Sequence, residues 1–255
     1  MNMLYKRDNY LNKNIEYLFN TEIIEYDMKQ AGYNLCKYYN LLPEDTIKTL
    51  DKVNKHHKRI LLGLIQRKDK EFRKKLKDAF SDMRELFFKA NNIEEDEVLS
   101  IKKDAIFVFK HCEITQFDNV LFVPKNIYTS YLYVDRKELY YNKNTLDVKG
   151  INDELLKYHK NGMLEFLNHV FLMMETYNNS KRINKFLKDF SYLYRTKDLP
   201  IEFYREFNTN SCFHLFDKEL KKEIYFSDLG DEYVDKIDIS YNYLNIIRPI
   251  LNICI

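Results

Sequence analysis

Two short, apolar segments, each carrying one aspartate, constrain the fold of this chain more than any other feature. The first covers residues 22–27 and ends at Asp27, and the second covers residues 101–108 and contains Asp104. Their content of Ile, Val, Phe and Tyr is typical of buried strands. Burying an ionised carboxylate in such a strand costs free energy unless a partner compensates its charge. Two carboxylates on adjacent strands would form an oxygen site for Mg²⁺. The alternative is that each aspartate ends its strand in an ordinary turn.

The composition is that of a globular protein. Hydrophobic residues make up 45% of the 255 residues, and 5 Gly and 4 Pro favour long helices and strands with few elaborate loops. With 41 basic and 39 acidic residues, nucleic-acid binding would depend on a local basic surface. The 4 cysteines lack CxxC spacing, which favours buried free thiols over zinc or disulfides. Without a signal peptide or a long apolar run, we expect a soluble, cytoplasmic protein with no membrane partner.

The order of the patterns predicts an α+β fold. The segments predicted outside the two aspartate-bearing strands are helices over 45–67 and about 69–91, strands over 118–150, helices from 152 to about 195, and short mixed runs over 211–255. The second helix carries an apolar stripe at helical spacing, which predicts core packing. Strands give way to helices at Gly150-Ile151, which is therefore the candidate domain boundary.

Two of these segments resemble the catalytic motifs of family B DNA polymerases. The first motif of that family is a strand that ends in Asp and leads through a short loop into a helix, and the segment from Tyr26-Asp27 onward is similar to it. The third motif ends in Asp-Ser-Ile-Phe-Val, and Asp104-Ala105-Ile106-Phe107-Val108 is similar to that string. Lys102 stands where the family has the first Asp of its Asp-Thr-Asp.

Later segments follow the same family order. Lys125 and Tyr128 resemble the family's Lys-x-x-Tyr segment, which touches the primer strand. A hairpin over 131–141 then leads to Lys149-Gly150, similar to the Lys-Gly that opens the thumb. The resemblance implies that Lys125, Tyr128 and Lys149 contact nucleic acid. Ordinary surface residues of a hairpin are the alternative.

The resemblance also implies a domain plan and a chemistry. Residues 1–150 would form a palm with an antiparallel sheet and very short fingers at about 45–92, and residues 151–255 a mostly helical thumb with a C-terminal mixed segment. Asp27 and Asp104 would be catalytic and bind two Mg²⁺ ions, with Mn²⁺ as a substitute. No exonuclease domain fits before the first motif, so we expect no proofreading.

The nucleotide-binding residues are less clearly marked, because the family's second motif is not present as such. Its nearest counterpart contains Lys58 and Arg59, with Arg67 further on, and these cations would bind the triphosphate. A solvated basic face explains the same residues. Gly32 occupies the family's sugar-gate position and has no side chain to exclude a ribose, while Tyr33 follows it. We favour a one-residue shift that brings Tyr33 over the sugar.

The expected function is a template-directed nucleic-acid polymerase without proofreading. Its partners would be a primer–template, nucleoside triphosphates and, in a split enzyme, a second polymerase subunit. Two alternatives stay open. One is a non-catalytic relic of the same fold that acts as a nucleic-acid-binding or assembly subunit, which the loss of the second motif favours. The other is a primase-like enzyme. A virus or mobile element is the expected source.

Overall fold

The computed structural model describes residues 4–134, 137–143, 145–149, 169–173, 180–198, 214–217 and 222–225. The chain divides into two compact units, of which the first comprises Met1–Ile15 with Thr21–Thr129 and the second comprises Glu16–Asn20 with Ser130–Ile255. Helices and antiparallel strands are both present, so the predicted α+β class is confirmed. The predicted boundary at Gly150-Ile151 lies outside the described residues, and the division into palm and thumb stays a prediction.

The first unit contains most of the described elements. Its strands are β1 (Asn9–Leu11), β2 (Tyr17–Met28), β3 (Val98–Lys102), β4 (Ala105–Val108), β5 (Gln116–Phe117) and β6 (Val120–Val134). Its helices are α1 (Ala31–Tyr38), α2 (Glu44–Asp51), α3 (Lys55–Lys68) and α4 (Lys70–Ala90), with 3-10 turns at Leu4–Lys6 and Glu95–Glu97. Strands β2 and β6 each contribute residues to both units.

The sheet of the first unit has the order β1-β3-β4-β2-β6, with β5 paired to β6. Strand β4 is antiparallel to both β2 and β3, so β2 and β3 run parallel with β4 between them. Helices α1 to α4 form the connection from β2 to β3, which makes this a split β-α-β arrangement. The consequence is that the C-terminal end of β2 lies beside the turn that joins β3 to β4.

That turn corrects the prediction of one continuous strand over residues 101–108. Lys102 pairs with Ala105, and Lys103 and Asp104 form the tight turn between them. Lys103 adopts a left-handed conformation with φ of 56°, which is incompatible with an extended strand. Asp104 therefore lies in a hairpin turn rather than on a strand.

The predicted helix over 45–67 is also corrected, because it is two helices. Helix α2 ends at Asp51, and α3 begins after Asn54, whose backbone is extended. The Asn54 side chain accepts a hydrogen bond of 3.0 Å from the backbone N–H of His57, which makes it the N-cap of α3. Asparagine at this position favours a helix start over a helix interior, and that signal was missed.

Helix α4 matches its prediction over about 69–91 and supplies the centre of the core. Its predicted stripe is buried, namely Phe72, Leu76, Phe80, Met83, Phe87 and Phe88. The Phe87 ring stacks on Phe122 of β6 at 4.1 Å and contacts Tyr26 of β2 at 5.4 Å between ring centroids. Because side chains alternate along a strand, Tyr26 faces α4, while Glu25 and Asp27 lie on the opposite face of β2.

The second unit is described in part. The predicted hairpin over 131–141 is confirmed by the pairing of β6 with β7 (Lys137–Asn142), and β7 pairs in turn with β8 (Thr145–Lys149). Residues 169–173 are helical, α5 covers Ser180–Thr196, and β9 (His214–Asp217) pairs with β10 (Lys222–Tyr225). Much of the predicted thumb and of the mixed segment over 211–255 lies outside the described residues.

Two further predictions can be compared with the described part of the chain. Cys36 and Cys112 are buried free thiols, as predicted, whereas Cys212 and Cys254 lie outside the described residues. Within the described ranges, every helix is too short or too polar to cross a membrane.

Candidate active site

A cavity of about 420 Å³ lies in the first unit where β2 ends. Its walls come from the β3–β4 turn, the start of α1, one side of α3 and the middle of α4. Its charged lining residues are Asp27, Lys55, Lys58, Arg59, Lys103 and Asp104. Four cations therefore share this cavity with both aspartates that the sequence marks as catalytic.

The two aspartates are neighbours because of strand pairing. Asp27 on β2 is the register partner of Ala105, and Asp104 directly precedes Ala105 in the turn. The backbone N–H of Met28 donates to the carbonyl of Asp104 at 3.0 Å, which closes the pairing at the end of β2. Both side chains are half-buried. The sheet itself thus brings these carboxylates to one cavity.

The electrostatic setting of Asp27 is unfavourable for its charge. Burial raises the pKa of Asp27, and the nearby charges of Asp104 and Glu25 raise it further. The ammonium groups of Lys125 and Lys55 act in the opposite direction but do not cancel these effects. A carboxylate whose ionisation is disfavoured by burial and by neighbouring carboxylates is the setting in which a bound cation gains most.

Glu25 is a third carboxylate of this region that the sequence analysis did not single out. It is 1% exposed and accepts hydrogen bonds from the Tyr128 hydroxyl at 3.0 Å and the Asn126 amide at 2.6 Å. The Lys125 ammonium lies 3.5 Å from its other oxygen. The signal was available, since an ionisable residue two positions before Asp27 shares its face of the strand. Glu25 thereby links β2 to β6 directly beside the aspartate pair.

The predicted nucleotide-binding residues separate into two groups. Lys58 and Arg59 line the cavity, together with Lys55, which was not predicted as a site residue. Arg67 is exposed near the end of α3 and is not part of the cavity lining. Position along α3 explains the difference, because Lys55, Lys58 and Arg59 lie in its first two turns, whereas Arg67 lies about 12 Å of helix rise beyond Arg59.

Tyr33 is held in place by three neighbours. Its hydroxyl donates to Asp51 at the end of α2, and the Lys58 ammonium lies 3.9 Å from its ring centroid. Lys37 lies 3.8 Å from Asp51 on the other side. Burial and the Asp51 carboxylate raise the pKa of Tyr33 to about 12. The ring is 6% exposed, so Tyr33 joins α1 to α2 and α3.

Gly32 borders the cavity directly. A β-carbon there would meet the Leu62 side chain at 3.7 Å, which is an ordinary contact distance. A β-carbon at Gly32 would therefore fit against Leu62, and the glycine leaves this part of the cavity wall without a side chain.

The residues predicted to touch nucleic acid lie in different surroundings. Tyr128 is fully buried and bonded to Glu25, so its side chain supports the core and is not part of a surface. Lys125 is about half exposed and faces Glu25. Lys149 belongs to the second unit and pairs with Asp147 at 2.6 Å.

Arg84 of α4 is another residue that the sequence analysis missed. Its side chain is 0% exposed, and it donates to the backbone carbonyl of Lys103 in the β3–β4 turn at 2.7 Å. The signal lay in the stripe of α4, because a charged residue four positions after Phe80 and three before Phe87 falls among buried positions.

The chemistry of the two aspartates suits a magnesium ion. Carboxylate oxygens are hard ligands, and Mg²⁺ sites commonly use one or two carboxylates plus water and substrate phosphates. The described residues contain no group of three or more His, Cys, Asp or Glu arranged to hold a metal. A site based on Asp27 and Asp104 would thus depend on substrate oxygens to complete its ligand set.

The whole chain, residues 1–255, matches a family described as "Bacteriophage PBS1 gene 130 protein". The chain belongs to this family. The description agrees with the expected viral source and names no activity. No curated protein matches the chain.

Proposed function

We propose that this chain is a template-directed nucleic-acid polymerase that resembles the palm of family B DNA polymerases and works with Mg²⁺ and nucleoside triphosphates. One observation carries the proposal. Asp27 and Asp104 line one cavity together with Lys55, Lys58, Arg59 and Lys103. Nucleotidyl transfer needs carboxylates for metal ions and fixed cations for the triphosphate, and this cavity supplies both.

The arrangement of the strands supports the proposal independently of the side chains. The first aspartate-bearing strand, β2, lies beside the hairpin that carries the second aspartate, and helices connect the two. The sequence resemblance places the family's first and third motifs on these same elements.

The residues of the cavity have distinct proposed roles. Asp27 and Asp104 hold the metal ions, while Lys55, Lys58 and Arg59 bind phosphate oxygens from the α3 side. Lys103 extends the cationic lining at the turn, beside Asp104. When bound, Mg²⁺ neutralises phosphate charge and lowers the pKa of the attacking hydroxyl. The contact of the Lys58 ammonium with the Tyr33 ring joins α3 to α1, the helix that follows β2.

A primer-extension assay with Mg²⁺ and all nucleotides tests the proposal. We expect extension by the wild type and its loss in Asp27→Asn and Asp104→Asn, because each change removes a ligand charge and keeps the side-chain shape. Asp118→Asn is the matched control. Asp118 also lies in a tight hairpin turn, between β5 and β6, but it is exposed and outside the cavity. Unchanged extension by the folded Asp104→Asn variant would refute the proposed site.

A second candidate function is a nucleic-acid-binding or assembly subunit without catalysis. It is favoured by Lys102, which stands where the resembled family has an aspartate, and by the exposed basic residues of α3. Salt-sensitive binding of a primer–template without extension, with or without Mn²⁺, would select this function.

A further inference from the structure

We propose that Arg84 is a positioning residue that holds Asp104 in place by fixing the β3–β4 turn to the N-terminal segment. The role of Asp104 as a metal ligand rests on the proposed function. The attachment of the turn to the N-terminal segment rests only on the contacts of Arg84.

Each nitrogen of the buried Arg84 guanidinium has an acceptor. Its Nη1 donates to the Lys103 carbonyl at 2.7 Å, its Nε to the Tyr5 carbonyl at 2.8 Å, and its Nη2 to the Asp8 carboxylate at 3.1 Å. One side chain of α4 therefore joins the N-terminal segment to the turn that precedes Asp104. The planar fork of arginine suits several fixed acceptors, whereas lysine offers a single point charge.

The turn needs such support because of its backbone. Lys103 adopts a left-handed φ of 56°, which costs energy for a residue other than glycine. The Lys103 N–H donates to the Asp8 carbonyl at 2.6 Å, and the Asp104 carbonyl accepts from Met28 at 3.0 Å. Arg84 binds the remaining carbonyl of the turn, that of Lys103. The turn is thus held by Met28 of β2, by Asp8 of the N-terminal segment and by Arg84 of α4.

The burial of Arg84 is better explained by a role in positioning the β3–β4 turn than by a contribution to the stability of the fold. A buried charge loses its hydration, and two of its three acceptors are neutral carbonyls that recover only part of that loss. An apolar side chain would fill this place in the α4 stripe at lower cost. An arginine here instead fixes the direction of the turn.

The experiment compares Arg84→Lys and Arg84→Gln with the wild type in direct binding of Mn²⁺. We expect both variants to lose affinity by about 10- to 100-fold, the usual range for residues that support a metal ligand. Arg73→Gln is the matched control. Arg73 is also on α4 and donates to a backbone carbonyl, that of Gln66, but it does not contact the turn.

Hydrogen exchange gives a second readout that does not require metal binding. Without the Arg84 hydrogen bond, the turn should open more often. The Met28 and Lys103 amides should therefore exchange faster than in the wild type, and this increase should exceed any change in β2 amides away from the turn. Thermal unfolding shows whether each variant folds. If Arg84→Gln fails to fold, Arg84→Lys and Asp8→Asn supply the comparison, because each weakens the link and keeps a polar side chain.

Failure of the Arg84 positioning role and failure of the proposed function give different results. Folded Arg84 variants with wild-type Mn²⁺ affinity and unchanged exchange at Met28 overturn the positioning role. If the wild type itself binds no Mn²⁺, the proposed function fails, and the exchange rates still decide whether Arg84 holds the turn. Loss of affinity in Arg73→Gln as well would assign the effect to α4 as a whole and overturn the specific role.

Discussion

The backbone N–H of Met28 donates to the carbonyl of Asp104 at 3.0 Å. This hydrogen bond joins the residue after Asp27 to Asp104 itself, so the separation of the two aspartates is set by backbone pairing. A change of side-chain rotamer then moves only the carboxylate oxygens and leaves the backbone separation unchanged. A pair fixed in this way is present before any ligand binds, which reduces the cost of organising the site.

The first prediction concerns the stability of the metal-free protein. Asp27→Asn should stabilise it by about 0.5–1 kcal/mol, because the ionised carboxylate is disfavoured by burial and by Asp104. Urea unfolding in a chelator measures the change, with Asp118→Asn as the control. Such a loss of stability is the expected cost if Asp27 has the proposed catalytic role.

The pH dependence of this effect has a definite sign. The pKa of Asp27 in the folded protein lies above the ordinary value of 3.8, so the folded state binds this proton more tightly than the unfolded state. The stability contributed by Asp27 is fully present below about 3.8 and is lost as the pH rises through the folded pKa. The advantage of Asp27→Asn should therefore grow with pH in that window. A constant difference between the variants would contradict the assignment.

The second prediction concerns Glu25, which links β2 to β6. Glu25→Ala should cost about 2–4 kcal/mol in the free energy of unfolding, because the Tyr128 hydroxyl and the Asn126 amide lose their buried acceptor. Glu25→Gln should cost much less, since one oxygen can still accept from both groups. Equal losses in the two variants would show that the charge, rather than the acceptor, is what matters.

Much of the fold could be predicted from residue patterns. The helix of α4 and the part of β2 that carries Asp27 follow from spacing and residue type. The turn at Lys103-Asp104 could not, because a lysine with positive φ has no sequence signal and depends on the contacts of Arg84 and Asp8. The break before Asn54 was readable as an N-cap but was missed.

The candidate site was predictable to a smaller extent. Asp27, Asp104, Lys58 and Arg59 were recognised from resemblance and lie around one cavity. Tyr128 was placed on a surface by the same resemblance but is buried, because Glu25 provides an acceptor inside the protein. Contacts of this kind join residues far apart in the chain, which no local pattern reveals.

The third prediction concerns sugar selection. Tyr33 is held by Asp51 and Lys58, so it is not free to shift over a bound sugar, and Gly32 borders the cavity without a side chain. If the chain has the proposed polymerase activity, we therefore expect it to accept ribonucleotides readily, as a primase-like enzyme would. Incorporation of ribo- and deoxyribonucleotides by the wild type and Gly32→Val measures this, and the variant should favour deoxyribonucleotides.

Tyr33→Ala is the companion variant for sugar selection. It should destabilise the protein, because the hydrogen bond to Asp51 and the contact with Lys58 are lost. Its ratio of ribo- to deoxyribonucleotide incorporation should stay that of the wild type. Strong selectivity in the wild type that disappears in Tyr33→Ala would instead establish Tyr33 as the gate.

The fourth prediction concerns salt. Binding of a primer–template should weaken steeply with salt, with a slope of about one unit per phosphate neutralised. Lys55→Ala should reduce the slope by about one unit, because Lys55 is an exposed cation of the cavity. Lys75→Ala is the control, since Lys75 is exposed, lies outside the cavity and pairs with Glu71 at 2.8 Å. Identical slopes in both variants would place the nucleic acid elsewhere.

Helix α3 buries Leu62, whereas α4 buries a continuous row of side chains. The energy needed to detach α3 is accordingly small compared with the energy needed to unfold the sheet and α4. A fluctuation that lifts α3 would carry Lys55, Lys58 and Arg59 away while the aspartates stay fixed by strand pairing. If the chain is the proposed polymerase, movement of α3 lets substrate enter and product leave while Asp27 and Asp104 keep their positions.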